Sequence, residues 1–166
     1  MPVYLQMMPL LAELAGKPTP KAALGYAESI PFADNSFDIV LCYSSHQYMD
    51  IDRALAEMTR VVADDGRITI IGNSLHPFTR ESAGRFVRTR RLGTLKYDLQ
   101  AIGNTLAYQR LGRRVFRSKG GGTTGMPVYP SARYMEKKLT ELGFRIDTDL
   151  TTRLPSTETA LFARRA

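Results

Sequence analysis

The chain has 166 residues, 43% of them apolar, with 23 Lys/Arg against 16 Asp/Glu and a formal net charge of +7. That length suits one domain with its own core, and no run approaches the roughly 18–20 apolar residues of a membrane span. A single cysteine, Cys42, excludes an intrachain disulfide, and no Cys/His spacing suits a metal. The first 16 residues lack the basic start of a signal peptide, so a reduced, cytoplasmic setting is expected.

Charge is unevenly spread. From Arg80 to Lys119 there are eleven Lys/Arg and only two acids, Glu81 and Asp98, which leaves the rest of the chain slightly acidic. Such a segment is either a solvated helical face or an attractor for an anionic partner.

In chain order, Val3–Gln6 reads as a short strand, Met8–Ala15 as a helix ended by Gly16 and Pro18, and Ala22–Tyr26 as another strand. Phe37–Ser44 is nearly continuous in apolar residues, the pattern of a strand buried on both faces. Asp50 and Asp52 offer an N-cap oxygen and favourable charge to a helix start. Ala54, Leu55, Met58, Val61 and Val62 then form one apolar stripe. Asp64-Asp65-Gly66 reads as the stop, with Gly66 left-handed, and Arg67–Gly72 as a second buried strand. Strand, helix, strand in so short a span is a βαβ unit, the building block of parallel sheets.

Residues 78–125 scatter Phe86, Val87, Leu92, Leu95, Leu99, Ile102, Leu106 and Leu111 among arginines, so one or two amphipathic helices are expected. Lys119–Gly125 then reads as a glycine hinge, and the whole insertion as a lid over a site. Pro130-Ser131 opens a helix with Tyr134, Met135, Leu139 and Leu142 on one face, stopped by Gly143. Phe144–Thr152 and Glu158–Arg165 read as an antiparallel edge pair.

Gly25-Tyr-Ala-Glu-Ser-Ile-Pro-Phe-Ala-Asp-Asn-Ser-Phe-Asp38 resembles the class I S-adenosylmethionine-dependent methyltransferases of the ubiquinone/menaquinone-methylase, small-molecule type, whose pattern is roughly G-D-A-E-x-L-P-F-x-D-x-S-F-D-x-V. The likeness continues through His46, Asp50, Ala54-Leu55, Glu57 and Arg60-Val61-Val62, with Asp64-Asp65-Gly66 where that family has Pro-Gly-Gly. Leu142-Gly143-Phe144 and the last strand also sit where the fold expects them. The resemblance implies an α/β fold: an incomplete Rossmann-like methyltransferase sheet, mostly parallel, with an antiparallel edge pair and the 78–125 helical lid insertion. It further implies a single truncated domain over residues 1–166.

By the same resemblance, S-adenosylmethionine is the implied cofactor, lying across the carboxyl ends of the strands, with Ala27, Glu28, Tyr43 and Ser44 lining its cleft. The one G-x-G-x-x-G in the sequence, Gly120–Gly125, is in the wrong place for a cofactor loop, far after the strands that should follow it. Leu5 or Gln6 falls where the ribose-binding acid is expected, and Tyr26 replaces the acid before Ala-Glu, so weakened cofactor binding is implied. His46 and His76 fall on the substrate side. Each has a structural alternative, His46 in shaping the helix start and His76 as a loop residue before Pro77. Cys42, inside an apolar strand, reads as a small buried hydrophobe. No catalytic residue is assigned, because in-line methyl transfer mainly needs positioning and desolvation.

The resulting expectation is a methyltransferase acting on a small molecule. The alternative is a non-catalytic partner or scaffold subunit that another chain completes. A homodimer or complementary subunit is expected on either reading, with no membrane and no nucleic-acid partner.

Overall fold

The computed structural model describes residues 3–116, 126–147 and 158–166. The elements are α1 (Val3–Leu14), β1 (Phe37–Tyr43), a 3₁₀ turn (His46–Tyr48), α2 (Ile51–Val61), β2 (Val62–Asn73), α3 (Leu75–Thr89), α4 (Leu92–Leu111), α5 (Ala132–Glu141), β3 (Phe144–Ile146) and β4 (Glu158–Arg165). The four strands form one open sheet in the order β1-β2-β4-β3. The class is α/β, as expected, but the sheet is mixed rather than mostly parallel. β1 and β2 run parallel, whereas β4 is antiparallel to both β2 and β3. Among the described residues no helix is long and apolar enough to cross a membrane.

The βαβ unit forms as its sequence dictates. Asp50 caps α2 and accepts from the Arg53 amide at 3.4 Å, and Ile51, Ala54, Leu55, Met58 and Val61 are buried along one face. β2 alternates strictly over Ile68–Ile71, with Ile68 and Ile70 inward. Cys42, Ile70 and Leu161 stand side by side across three strands, as do Val40, Ile68 and Ala163. α2 and α5 cover this face with Leu55, Met58, Met135 and Leu139. α5 starts at Ser131, whose hydroxyl accepts from the Tyr134 amide, and ends before Gly143 at φ +82°. Leu142 is left exposed rather than joining the buried face.

Several expectations are corrected. Val3–Gln6 is helical, because the helical period of the whole stretch overrides its local β-propensity: Met7, Leu10, Leu11 and Leu14 recur at i, i+3, i+4, i+7. Leu5 and Gln6 therefore end no second strand, and no ribose-binding position lies there. Ala22–Tyr26 is not a strand; the only pairing nearby is a Tyr26–Ser29 bridge, and a strand without a neighbour leaves its backbone unpaired. Gly66 does not turn the chain in the left-handed region. The chain passes from α2 straight into β2, and residues 63–66 bulge between the Phe37–Val62 and Ile39–Arg67 partners. Gly66 is needed there for close approach, since a Cβ would lie 2.9 Å from the Asp38 carbonyl.

β1 is not buried on both faces. Ile39, Leu41 and Tyr43, on the side away from α2, are 65%, 61% and 60% exposed. The reason is what packs on it: among the described residues β1 has substantial contacts only with its neighbour β2 and with α2, which covers the other face.

The 78–125 insertion forms two packed helices, α3 and α4. Asp98, 2% exposed, ties them by accepting from Ser82 Oγ at 2.7 Å and from Arg85 Nη2 at 3.0 and 3.1 Å. Phe78 stacks on Tyr129 at 3.9 Å in a second small core with Ala101 and Met126. The expected hinge, Lys119–Gly125, lies outside the described residues, as does most of the link between β3 and β4.

Candidate functional site

The carboxyl ends of β1 and β2 lie side by side, with Tyr43 opposite Ile71 and Ser44 donating its amide to the Ile71 carbonyl at 2.8 Å. Ser44 turns the chain at φ +47°, which sends His46 back over the end of β2. His46 is 5% exposed and lies against Gly72, where an added Cβ would come within 2.6 Å of the imidazole Cε1. Its Nε2 lies 3.1 Å from the Asn73 carbonyl oxygen. A carbonyl only accepts, so the proton sits on Nε2 and Nδ1 is left bare. Burial holds the His46 pKa below its usual 6.5. The Gln47 Oε1 and Asn73 Oδ1 acceptors are likewise buried with no protein partner among the described residues.

A depressed histidine pKa stabilises the fold above the unfolded value near 6.5 and loses that contribution as pH falls through the folded value. The imidazole resonances of His46 are therefore expected to titrate below pH 6.5. The stability loss on acidification through that range should disappear in a His46→Asn variant. A titration at or above 6.5 would contradict the buried, neutral assignment.

The loop that carries the family-like motif is fastened to α2. Glu28 Oε1 accepts from the Asp50 amide at 2.6 Å, and Glu57 Oε2 accepts from the Ile30 amide at 2.8 Å. Arg60 pairs with Glu57 and with Asp34, and donates to the Ile30 and Phe32 carbonyls. Hydrogen bonds from Arg60 and Ile30 hold the Glu57 carboxyl down to about 2. Ala27 packs against the main core.

The expected residues thus divide. Ser44, His46 and Tyr43 gather at the strand ends, and Glu28 reaches the start of α2, where one of its oxygens is already engaged. His76 stands apart, exposed in the first turn of α3. Cys42 is buried, which raises its thiol pKa.

Other residues shape this end of the molecule without a sequence signal. The Tyr108 hydroxyl accepts from the Ile51 amide at 3.0 Å and donates to Asp50 Oδ1 at 3.1 Å. Burial and the Asp50 charge push its pKa up to about 12. Arg114 donates to the Met49 carbonyl at 2.8 Å, and Val128 to that of Gln47 at 2.9 Å. Asn104, fully buried, accepts from the Val115 and Phe116 amides. The α3–α4 hairpin is therefore anchored at the start of α2 by the far end of α4.

A sheet covered by helices, with its polar groups at the ends of a parallel strand pair, is the Rossmann-like arrangement of the class I methyltransferases. The methyltransferase domain family matches residues 4–70. The uncharacterized protein YafE of Escherichia coli strain K12 is 50% identical over 48 residues, 28% of this chain and 23% of that protein. The uncharacterized methyltransferase YcgJ of Bacillus subtilis strain 168 is 46% identical over 48 residues, 28% of this chain and 19% of that protein. The matched stretch thus spans about a fifth to a quarter of these relatives. Among solved structures, a SAM-dependent methyltransferase of Thermotoga maritima, described as a possible histamine N-methyltransferase, has the same fold. It superposes with a TM-score of 0.55 at 14% identity, over 95% of this chain and 70% of that one. Residues 4–70 thus match the methyltransferase domain family, and the fold is that of solved SAM-dependent methyltransferases.

Proposed function

We propose that this chain forms the acceptor side of an S-adenosylmethionine-dependent methyl transfer to a small molecule. The observation that carries the reading is the parallel β1–β2 pair inside the family-matched stretch, with Tyr43, Ser44, His46 and Asn73 at its carboxyl ends. The bare acceptors on His46, Gln47 and Asn73 fit a bound group that donates hydrogen bonds. Ala27, Glu28, Tyr43 and Ser44 would hold the cofactor, which supplies a methyl group on a sulfonium for in-line displacement. Neutral His46 favours an acceptor carrying an N–H or O–H. Its role is to orient that group by accepting a hydrogen bond from it at Nδ1.

Cofactor affinity is expected to be low. Tyr26, 66% exposed, stands where an acid is expected. Each missing charged hydrogen bond weakens binding by about 1.5–3 kcal/mol, roughly a factor of ten or more. Calorimetric titration of the full chain with S-adenosylmethionine and its demethylated product should give a dissociation constant in the high micromolar range or beyond. A submicromolar isotherm would refute the weakened site. Absence of any saturable binding at millimolar cofactor would favour the second reading, a subunit completed by another chain, for which the open edge and bare face of β1 are the specific support.

A further inference from the structure

A second polar cleft, of about 380 Å³, lies between the end of α4 and the start of α5. Its volume falls within the range of small-molecule sites. Arg110, Arg133, Lys137 and Lys138 line it, with Asp52 the single acid in the wall. Asp52 is already engaged by Lys138 at 3.2 Å and by the Tyr134 hydroxyl at 3.4 Å. Lys137 has only a 3.7 Å approach to Glu141, which Lys138 shares at 3.6 Å. Arg110 and Arg133 make no ion pair or hydrogen bond with any other described residue.

The placement of these cations works against the fold. α5 has no acid in its first turn, and Arg133 sits there beside the positive end of the helix dipole, where a cation is unfavourable. Arg133 and Lys137 are four apart on the same helix, a spacing at which like charges repel. Arg110, from the last turn of α4, brings a further positive charge to the same opening. An anion seated at these guanidinium groups would relieve both conflicts on α5 and offset the charge of Arg110, with the start of α5 adding its own attraction.

We propose that this cleft is an anion site for a small molecule bearing a terminal phosphate. A phosphate dianion suits it better than a carboxylate, because two planar guanidinium groups can each engage two of its oxygens. The site is separate from the strand ends that carry the methyl-transfer reading and does not depend on it. Tyr108 connects the two regions, since it lines the cleft and its hydroxyl holds the Asp50 cap of α2.

The test is calorimetric titration of the full chain with pyrophosphate, glycerol 3-phosphate and acetate at low salt. Both phosphates are expected to bind saturably at millimolar concentration or below, and to weaken several-fold as salt is raised. Arg110→Gln and Arg133→Gln should each weaken binding at least fivefold, and the double variant should abolish it. Arg88→Gln, exposed in the last turn of α3, should bind as the unmodified chain does. Arg133→Gln removes a cation from the positive end of a helix, so its melting temperature should be unchanged or higher, and lost binding then cannot reflect unfolding. Absence of saturable phosphate binding, equal binding by the double variant, an equal loss in Arg88→Gln, or acetate binding as tightly as phosphate would each overturn the proposal.

Discussion

Replacing Leu55 by alanine is expected to cost about 2–5 kcal/mol of folding stability. Leu55 is 2% exposed on α2 and lies in the cluster that joins Cys42 and Ile70 of the sheet to Met135 of α5. Truncation removes its transfer free energy and leaves a cavity that close-packed neighbours fill only in part. In urea the unfolding midpoint should fall while the slope stays unchanged, the signature of lost stability without a change in surface exposed. The comparison is Leu41→Ala, on the face of β1 turned away from α2 and 61% exposed, which should shift the midpoint of the isolated subunit far less. If both substitutions moved it equally, the core would not lie where α2 meets the sheet. The site should feel the Leu55 change too, because the first turn of α2 holds the Asp50 amide against Glu28.

What the sequence reveals most directly is what local chemistry decides. The stripe from Ala54 to Val61 fixes α2 because a 3.6-residue period is satisfied within a few turns of chain. Asp50 is legible as its cap for the same reason. Both strands of the βαβ unit are visible from their β-branched and apolar runs. Features set by distant elements are not visible in this way. A run such as Phe37–Tyr43 looks the same whether one face or two are covered, and the cover belongs to other parts of the fold. Ala22–Tyr26 has strand-like residues but no neighbour to pair with. Within the site, Glu28 and His46 were legible through the family pattern. Tyr108 and Arg114 reach Ile51 and Met49 across 57 and 65 residues, and no local spacing announces such partners. The bulge at residues 63–66 was hidden for a further reason: Asp-Asp-Gly is an ordinary helix stop, and only the close approach of Asp38 shows why glycine is required.

Light scattering of the purified chain at micromolar concentration is expected to give at least twice the 18.6 kDa chain mass. We infer a second copy as the partner because each chain carries both halves of an interface. One half is the bare face of β1, where Ile39, Leu41 and Tyr43 stand out beside Ile71 on β2. The other is the stripe of α1, where Met7, Leu10, Leu11 and Leu14 are 45–77% exposed at helical spacing. A helix stripe laid on a sheet face is the ordinary way both become buried. In a two-fold pair each α1 can cover the partner's β1, so the same contact is made twice. The edge of β1, which pairs with no other described strand, adds backbone groups that an antiparallel copy of itself would satisfy, with Ile39 opposite Leu41 about the axis. Burial of these residues should bring the interface above the roughly 1,200 Å² of specific complexes. The net charge of +7 opposes association, so raising salt should strengthen the dimer rather than weaken it. Leu41→Lys places a cation at the centre of the apolar face, where burial without a partner is costly, and should return the chain to a monomer at the same concentration. A stable monomer of the unmodified chain under these conditions, or a Leu41→Lys variant of unchanged mass, would rule out the paired arrangement.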